Sequence, residues 1–165
     1  MIRAIVVMGV SGSGKSTLAR ALADALGWAF VEGDDLHPPA NIAKMAAGIA
    51  LDDADRAPFL ANVAEAMARA EGQGVVAACS ALKRVYRDAL RARVGAIAFV
   101  MAVLEPAALE ARMRARPGHF MPAALLVSQL ATLEPPQDDE DAIFVDGRLS
   151  IDAQVARAID SLRGD

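Results

Sequence analysis

A chain of 165 residues is long enough to bury the core of one domain without disulfide or metal staples. Its 55% hydrophobic content and interspersed charges exclude a disordered protein, and a net charge of −4 with dispersed Arg residues leaves no basic footprint for nucleic acid. The single Cys79 has no intramolecular partner and no Cys and His cluster shows zinc-ligand spacing, so a reducing, cytoplasmic setting is expected.

The apolar run from Ala4 to Met8 reads as a first strand. The apolar start Ile2 to Val10 is not expected to act as a signal peptide, because it leads directly into Gly12 and Lys15 with no convincing cleavage site after it. Gly9-Val10-Ser11-Gly12-Ser13-Gly14-Lys15-Ser16 fits the pattern G-x-x-x-x-G-K-[ST] at every fixed position. It stands between that strand and a helical spacing of Leu18, Leu22 and Leu26, which Gly27 closes. Glycines let the backbone curl so that successive N–H groups face phosphate oxygens, and the following helix adds the positive end of its dipole. Gly9, Ser11, Gly12, Ser13 and Gly14 are thus the expected cradle, with Lys15 on the β and γ phosphates of ATP. Ser16 is the expected ligand of Mg²⁺, with Thr17 as a weaker helper. The loop alone names no reaction, since motors, switches and small-molecule kinases share it.

A second strand, Ala29 to Val31, ends at Glu32-Gly33-Asp34-Asp35-Leu36-His37-Pro38. A carboxylate at this strand's carboxyl end would face the phosphate loop. Phosphoryl transfer to an alcohol needs a proton acceptor, and Asp34 is the expected base. Asp35 is placed to point to the opposite side, and Glu32 to hold a water on the magnesium.

Downstream, Leu60, Val63, Ala64 and Met67 have helical spacing, and Val75 to Ala78 reads as a third strand. Arg56 lies near the start of that helix and Arg87 one turn beyond Lys83, so both are candidates for a cleft. Ile97 to Met101 is a fourth strand, and Pro106 opens a helix carrying Arg112 and Arg116 on one face. These lead into Pro117-Gly118-His119-Phe120, read as a flap within a mobile lid of approximately residues 112–125. Gly118, His119, Pro122 and Gln129 interrupt the uncharged stretch between Arg116 and Glu134 too often for a membrane span. Leu126, Leu130 and Leu133 mark another helix. The run Asp138 to Asp141 reads as a solvated loop, Ile143 to Val145 as a fifth strand, and Ser150 as the cap of a final helix. Alternating strands and helices imply a three-layer α/β sandwich: five parallel strands, helices on both faces and ligands at the strands' carboxyl ends, in one domain over residues 1–165.

The loop Met8 to Ser16 and the block Gly33-Asp34-Asp35-Leu36-His37-Pro38 together resemble the gluconokinase family of small P-loop kinases. Asn41, Lys44, Met45, Leu51-Asp52-Asp53-Ala54-Asp55-Arg56-Ala57-Pro58, Cys79-Ser80-Ala81-Leu82-Lys83, Tyr86-Arg87-Asp88 and Arg116-Pro117-Gly118-His119-Phe120 continue the likeness in order over nearly the whole chain. The resemblance implies ATP-dependent phosphorylation of D-gluconate to 6-phosphogluconate, with ATP and Mg²⁺ as cofactors, a homodimer, and neither nucleic acid nor membrane as partner. Independently of the resemblance, closure of the lid would bring Arg112 and Arg116 against the transferring phosphoryl oxygens, so Lys15, Asp34 and Arg116 are the expected catalytic residues. The resemblance places Arg56 and Arg87 on the substrate carboxylate, with His37, Ser80, Lys83 and His119 completing the acceptor site. The segment Val145-Asp146-Gly147-Arg148-Leu149-Ser150 resembles an adenine-side loop. Glu32 stands where an Asp is common and Phe59 where a Trp is common, and neither departure removes a candidate catalytic group. Shikimate kinase and a non-kinase ATPase are the rival readings.

Overall fold

The computed structural model describes residues 1–115 and 123–164. Strands β1 (Ala4–Met8), β2 (Ala29–Glu32), β3 (Val75–Ala78), β4 (Ala98–Val103) and β5 (Ala142–Asp146) form one sheet in the order β2-β3-β1-β4-β5. Every pairing is parallel, from Val7 opposite Ala78 in the centre to Val100 opposite Ile143 towards one edge. The described helices are α1 (Lys15–Leu26), α2 (Pro39–Ala46), α3 (Asp53–Arg69), α4 (Arg84–Val94), α5 (Pro106–Arg114), α6 (Ala123–Thr132) and α7 (Ile151–Arg163).

All five residues of β1 are buried, as a strand covered on both faces requires. Its side chains alternate between two cores. Ala4, Val6 and Met8 join Phe59, Leu60, Val63, Leu90 and Phe99 beneath α3 and α4. Ile5 and Val7 join Leu18, Leu22, Val76, Val100 and Ala158 beneath α1 and α7. The sheet is thereby the middle of three layers, and the turns after its strands gather at one edge.

Local chemistry sets the helix limits. Gly27, in the left-handed region at φ 68°, ends α1, with its N–H on the Asp24 carbonyl and the Trp28 N–H on Ala23. Pro106 begins α5, and the Ser150 hydroxyl accepts from the Ala153 N–H at the start of α7. Asp52 and Asp55 form a reciprocal capping box at the head of α3 that the sequence reading did not anticipate.

One expectation fails here. The acidic run is no wholly solvated loop: Asp138–Glu140 is a short 3-10 turn, and Glu140 is 1% exposed. Its carboxylate takes Nε of Arg87 at 2.7 Å and Nη2 at 3.1 Å, a bidentate pair buried between α4 and the entry to β5. No helix among the described residues is long and apolar enough to cross a membrane.

Candidate active site

The segment joining β1 to α1 curls through positive φ at Gly9, Gly12 and Gly14. Gly14 needs that freedom to turn the chain into the first residue of α1, Lys15, so the loop's amides and the helix dipole converge. Gly12 needs its missing side chain as well, because a Cβ there would stand 2.9 Å from the Leu109 carbonyl oxygen of α5. Ser13 braces the curve, its hydroxyl donating to the Val10 carbonyl at 2.8 Å.

The carboxyl end of β2 faces this loop across a close backbone approach. A Cβ on Gly33 would lie 2.2 Å from the Ala78 carbonyl oxygen of β3, so only glycine lets the short turn Gly33–Leu36 lie against the sheet edge. That turn presents Asp34. Glu32, one step earlier, accepts from the Ser16 hydroxyl at 3.1 Å and from the Asp34 N–H at 3.4 Å, tying the foot of α1 to the acidic turn.

Lys15, Asp34, His37, Arg56, Ser80 and Gln129 line a single narrow cleft of about 40 Å³. His37 stacks on Phe59 with ring centroids 3.7 Å apart, so the aromatic that departs from the family pattern forms the wall behind the histidine. Burial lowers the His37 pKa below its ordinary 6.5; Asp34 opposes the shift, while Arg56 and Lys15 reinforce it. The Asn41 amide nitrogen donates to the Asp55 carbonyl at 2.8 Å and lies 3.3 Å from His37 Nδ1, so Nδ1 accepts and the neutral ring carries its proton on Nε2. Arg56 is steadied from outside the cleft, its Nη1 donating to the Tyr86 hydroxyl at 3.1 Å, and Tyr86 in turn donates to Asp53. A phosphate cradle, a carboxylate, a cation and a neutral imidazole donor therefore meet in one place, which suits phosphoryl transfer to a small anionic alcohol. A larger hollow of about 570 Å³ between α3 and α4 is lined by Ala57, Ala61, Ala64 and Ala89 together with Asp53, Glu65, Tyr86 and Arg93, and it includes neither the phosphate loop nor a histidine.

Residues 5–136 match the family model for an AAA domain, and the chain belongs to that family. The chain is 54% identical to a gluconokinase of Gluconobacter oxydans over 88% of its own length and 83% of the relative's. It belongs to the gluconokinase family. A thermoresistant gluconokinase of Escherichia coli is 42% identical over 96% of this chain and 92% of that one. The crystal structure of a gluconokinase from Sinorhizobium meliloti superimposes with a TM-score of 0.88 at 48% identity, covering 98% of this chain and 91% of that one. The family is one of kinases, which use ATP, and this gluconokinase-family chain has their parallel, helix-flanked sheet.

Several residues expected in the gluconokinase site stand elsewhere. Arg87 is fully buried, with Glu140 on two of its nitrogens and the Ala81 carbonyl at 2.9 Å on the third, so it is held away from a substrate carboxylate. Its position is that of a brace. Ala81 sits at φ 44°, unusual for a residue with a side chain, and the adjoining Ser80 carbonyl accepts from the Gly9 N–H at 3.2 Å. Lys83 pairs with Asp53 at 3.1 Å beside the Tyr86 ring and is not among the residues lining the cleft. Thr17 is exposed on α1. Arg112 reaches the Gly147 carbonyl at 2.9 Å and flanks Gly14, linking the phosphate loop to the segment read as the adenine side. Arg116 and His119, with the centre of the expected lid, lie outside the described residues. Cys79 is buried behind the cleft, and burial pushes its thiol up to about 12, so it is a poor nucleophile.

The sequence reading missed Gln129 and Ser128, which α6 brings to the cleft. The signal was present: Gln129 falls three and four residues after Leu126 and Leu125, a polar residue on an apolar stripe.

Proposed function

We propose that this gluconokinase-family protein transfers the γ-phosphoryl group of ATP to D-gluconate, giving 6-phospho-D-gluconate and ADP. The observation that carries the reading is the shared cleft of Lys15, Asp34 and Arg56. Lys15 and the loop amides hold the ATP phosphates and offset charge on the transferring group. Arg56 holds the acceptor's carboxylate, and His37, through Nε2–H, and Ser80 bond its hydroxyls. As the terminal alcohol oxygen bonds phosphorus, the bond to the ADP oxygen breaks and the alcohol proton passes to Asp34.

Mg²⁺ fits the residues present. The Ser16 hydroxyl and Glu32 carboxylate are two hard oxygen donors already within 3.1 Å of each other. Such a small protein share suits an ion whose remaining ligands are phosphates and water. When bound, the ion would neutralise phosphate charge, with Ser16 holding it directly and Glu32 through its water shell.

The residues also support Arg112 on the nucleotide, and the family resemblance supports a cytoplasmic homodimer of single-domain subunits with Arg116 and His119 completing the site. A coupled ADP-release assay tests the reaction. Turnover should require gluconate, with shikimate and acceptor-free mixtures at background; turnover without acceptor would instead identify an ATPase.

A further inference from the structure

The carboxamide of Gln129 bridges the two halves of the cleft. Its Oε1 accepts from the Ser11 N–H of the phosphate loop at 2.8 Å, across 118 residues of sequence. The atom assignment follows from chemistry, because an N–H can meet only the oxygen end of the amide. Helix α6 anchors this contact by burying Leu125 and Leu126, each 4% exposed, on the same side.

Two observations indicate that the contact changes during turnover. Ser11 is 6% exposed, and its N–H belongs to the cradle that phosphate oxygens would occupy. A negatively charged phosphate oxygen is a stronger acceptor than a neutral carboxamide and would take that N–H. The cleft's volume of about 40 Å³ also has room for no more than a few waters, far less than a six-carbon sugar acid requires. The cleft must therefore open to admit the acceptor, and Gln129 lines it beside Asp34 and Arg56, where the acceptor lies on the proposed reading. A carboxamide both donates and accepts, which matches a hydroxyl; a carboxylate could use only its donor half.

We propose that Gln129 is an acceptor-recognising residue: its carboxamide, held on the Ser11 N–H in this structure, passes to a hydroxyl of the sugar acid as the phosphoryl group takes that N–H. This rests on the gluconate reading above. It assigns α6 part of the acceptor specificity, and it links phosphate arrival to acceptor recognition through one side chain.

Steady-state kinetics of the full chain test it, with Gln129→Ala and the milder Gln129→Asn, each checked for native circular dichroism. Gln129→Ala should lower kcat/KM for gluconate by about ten- to a hundredfold, because polyol hydroxyls lose a buried partner. The KM for ATP and calorimetric binding of a non-hydrolysable ATP analogue should stay within about twofold. Monodeoxy gluconates add a second readout: at one position, removal of the hydroxyl should penalise the wild type but not Gln129→Ala. Unchanged gluconate constants in both variants, or a loss confined to ATP, would overturn the assignment. If Gln129→Ala does not fold, Gln129→Asn must show the same acceptor-confined loss. Wild-type protein inactive on gluconate would instead sink the underlying reading, a result visible before any variant is made.

Discussion

Asp34 reaches the phosphate loop because Gly33 lets its turn lie against β3 and because Glu32 accepts from its N–H. Asp34→Asn keeps that turn and the amide contact but removes the proposed proton acceptor. The expected outcome is a fall in kcat of about a hundredfold or more with ATP binding retained, and near-normal turnover would reject Asp34 as the base. On the proposed reading Arg56 serves the other substrate. Tyr86 and Asp53 steady it from behind, so Arg56→Ala should raise the KM for gluconate mainly, with the ATP constant as the internal control. A rise confined to ATP would place Arg56 on the wrong ligand.

The element whose geometry matters most is the four-residue turn after β2. A methyl group on Gly33 would stand 2.2 Å from a backbone oxygen that cannot rotate away, so Gly33→Ala must lift the whole turn off the sheet edge. The expected result is a loss of about 2 kcal/mol in chemical denaturation, with kcat lowered even though Asp34 itself is intact. Unchanged stability and turnover would mean that the turn has slack. These elements differ in how far their sequence disclosed them. The phosphate loop was fully legible because conformation, charge and chemistry are written into eight adjacent residues, and the five strands were legible as short apolar runs between turn signals. Arg87 was misassigned for the opposite reason. An Arg one turn beyond Lys83 looks available for a substrate anion until Glu140, 53 residues later, is seen to occupy it. Gln129 escaped notice because its partner is a backbone N–H 118 residues away, and periodicity shows which face a residue occupies but not what it meets there.

At the scale of the whole molecule, the Arg87 and Glu140 pair joins α4 to the turn that leads into β5. Glu140 also accepts from the Gln137 N–H at 2.8 Å, and Arg91 donates to its carbonyl at 2.9 Å, so the entry to β5 is fastened to α4 at several points. Arg87 carries the restraint onward through the Ala81 carbonyl to the Ser80 segment and, through Gly9, to the phosphate loop. The Arg87 guanidinium holds the Glu140 carboxyl down at about 2 against an ordinary 4.5. A depressed carboxyl pKa contributes stability that is full above pH 4.5 and is lost as pH falls towards about 2, since the unfolded chain binds the proton first. Glu140→Gln leaves Arg87 buried without its counter-charge, and should cost about 3 kcal/mol in denaturant unfolding near neutral pH. Other carboxylates with lowered values, among them Asp55 and Asp139, also contribute to acid sensitivity, so the informative quantity is wild type minus variant at each pH. That difference should shrink between pH 4.5 and about 2, and a difference independent of pH would show that the pair stabilises by packing alone. Because the restraint ends at the phosphate loop, the same variant should lose turnover at temperatures where it is still folded, and Ala81→Gly, which relieves the left-handed backbone, should restore part of it.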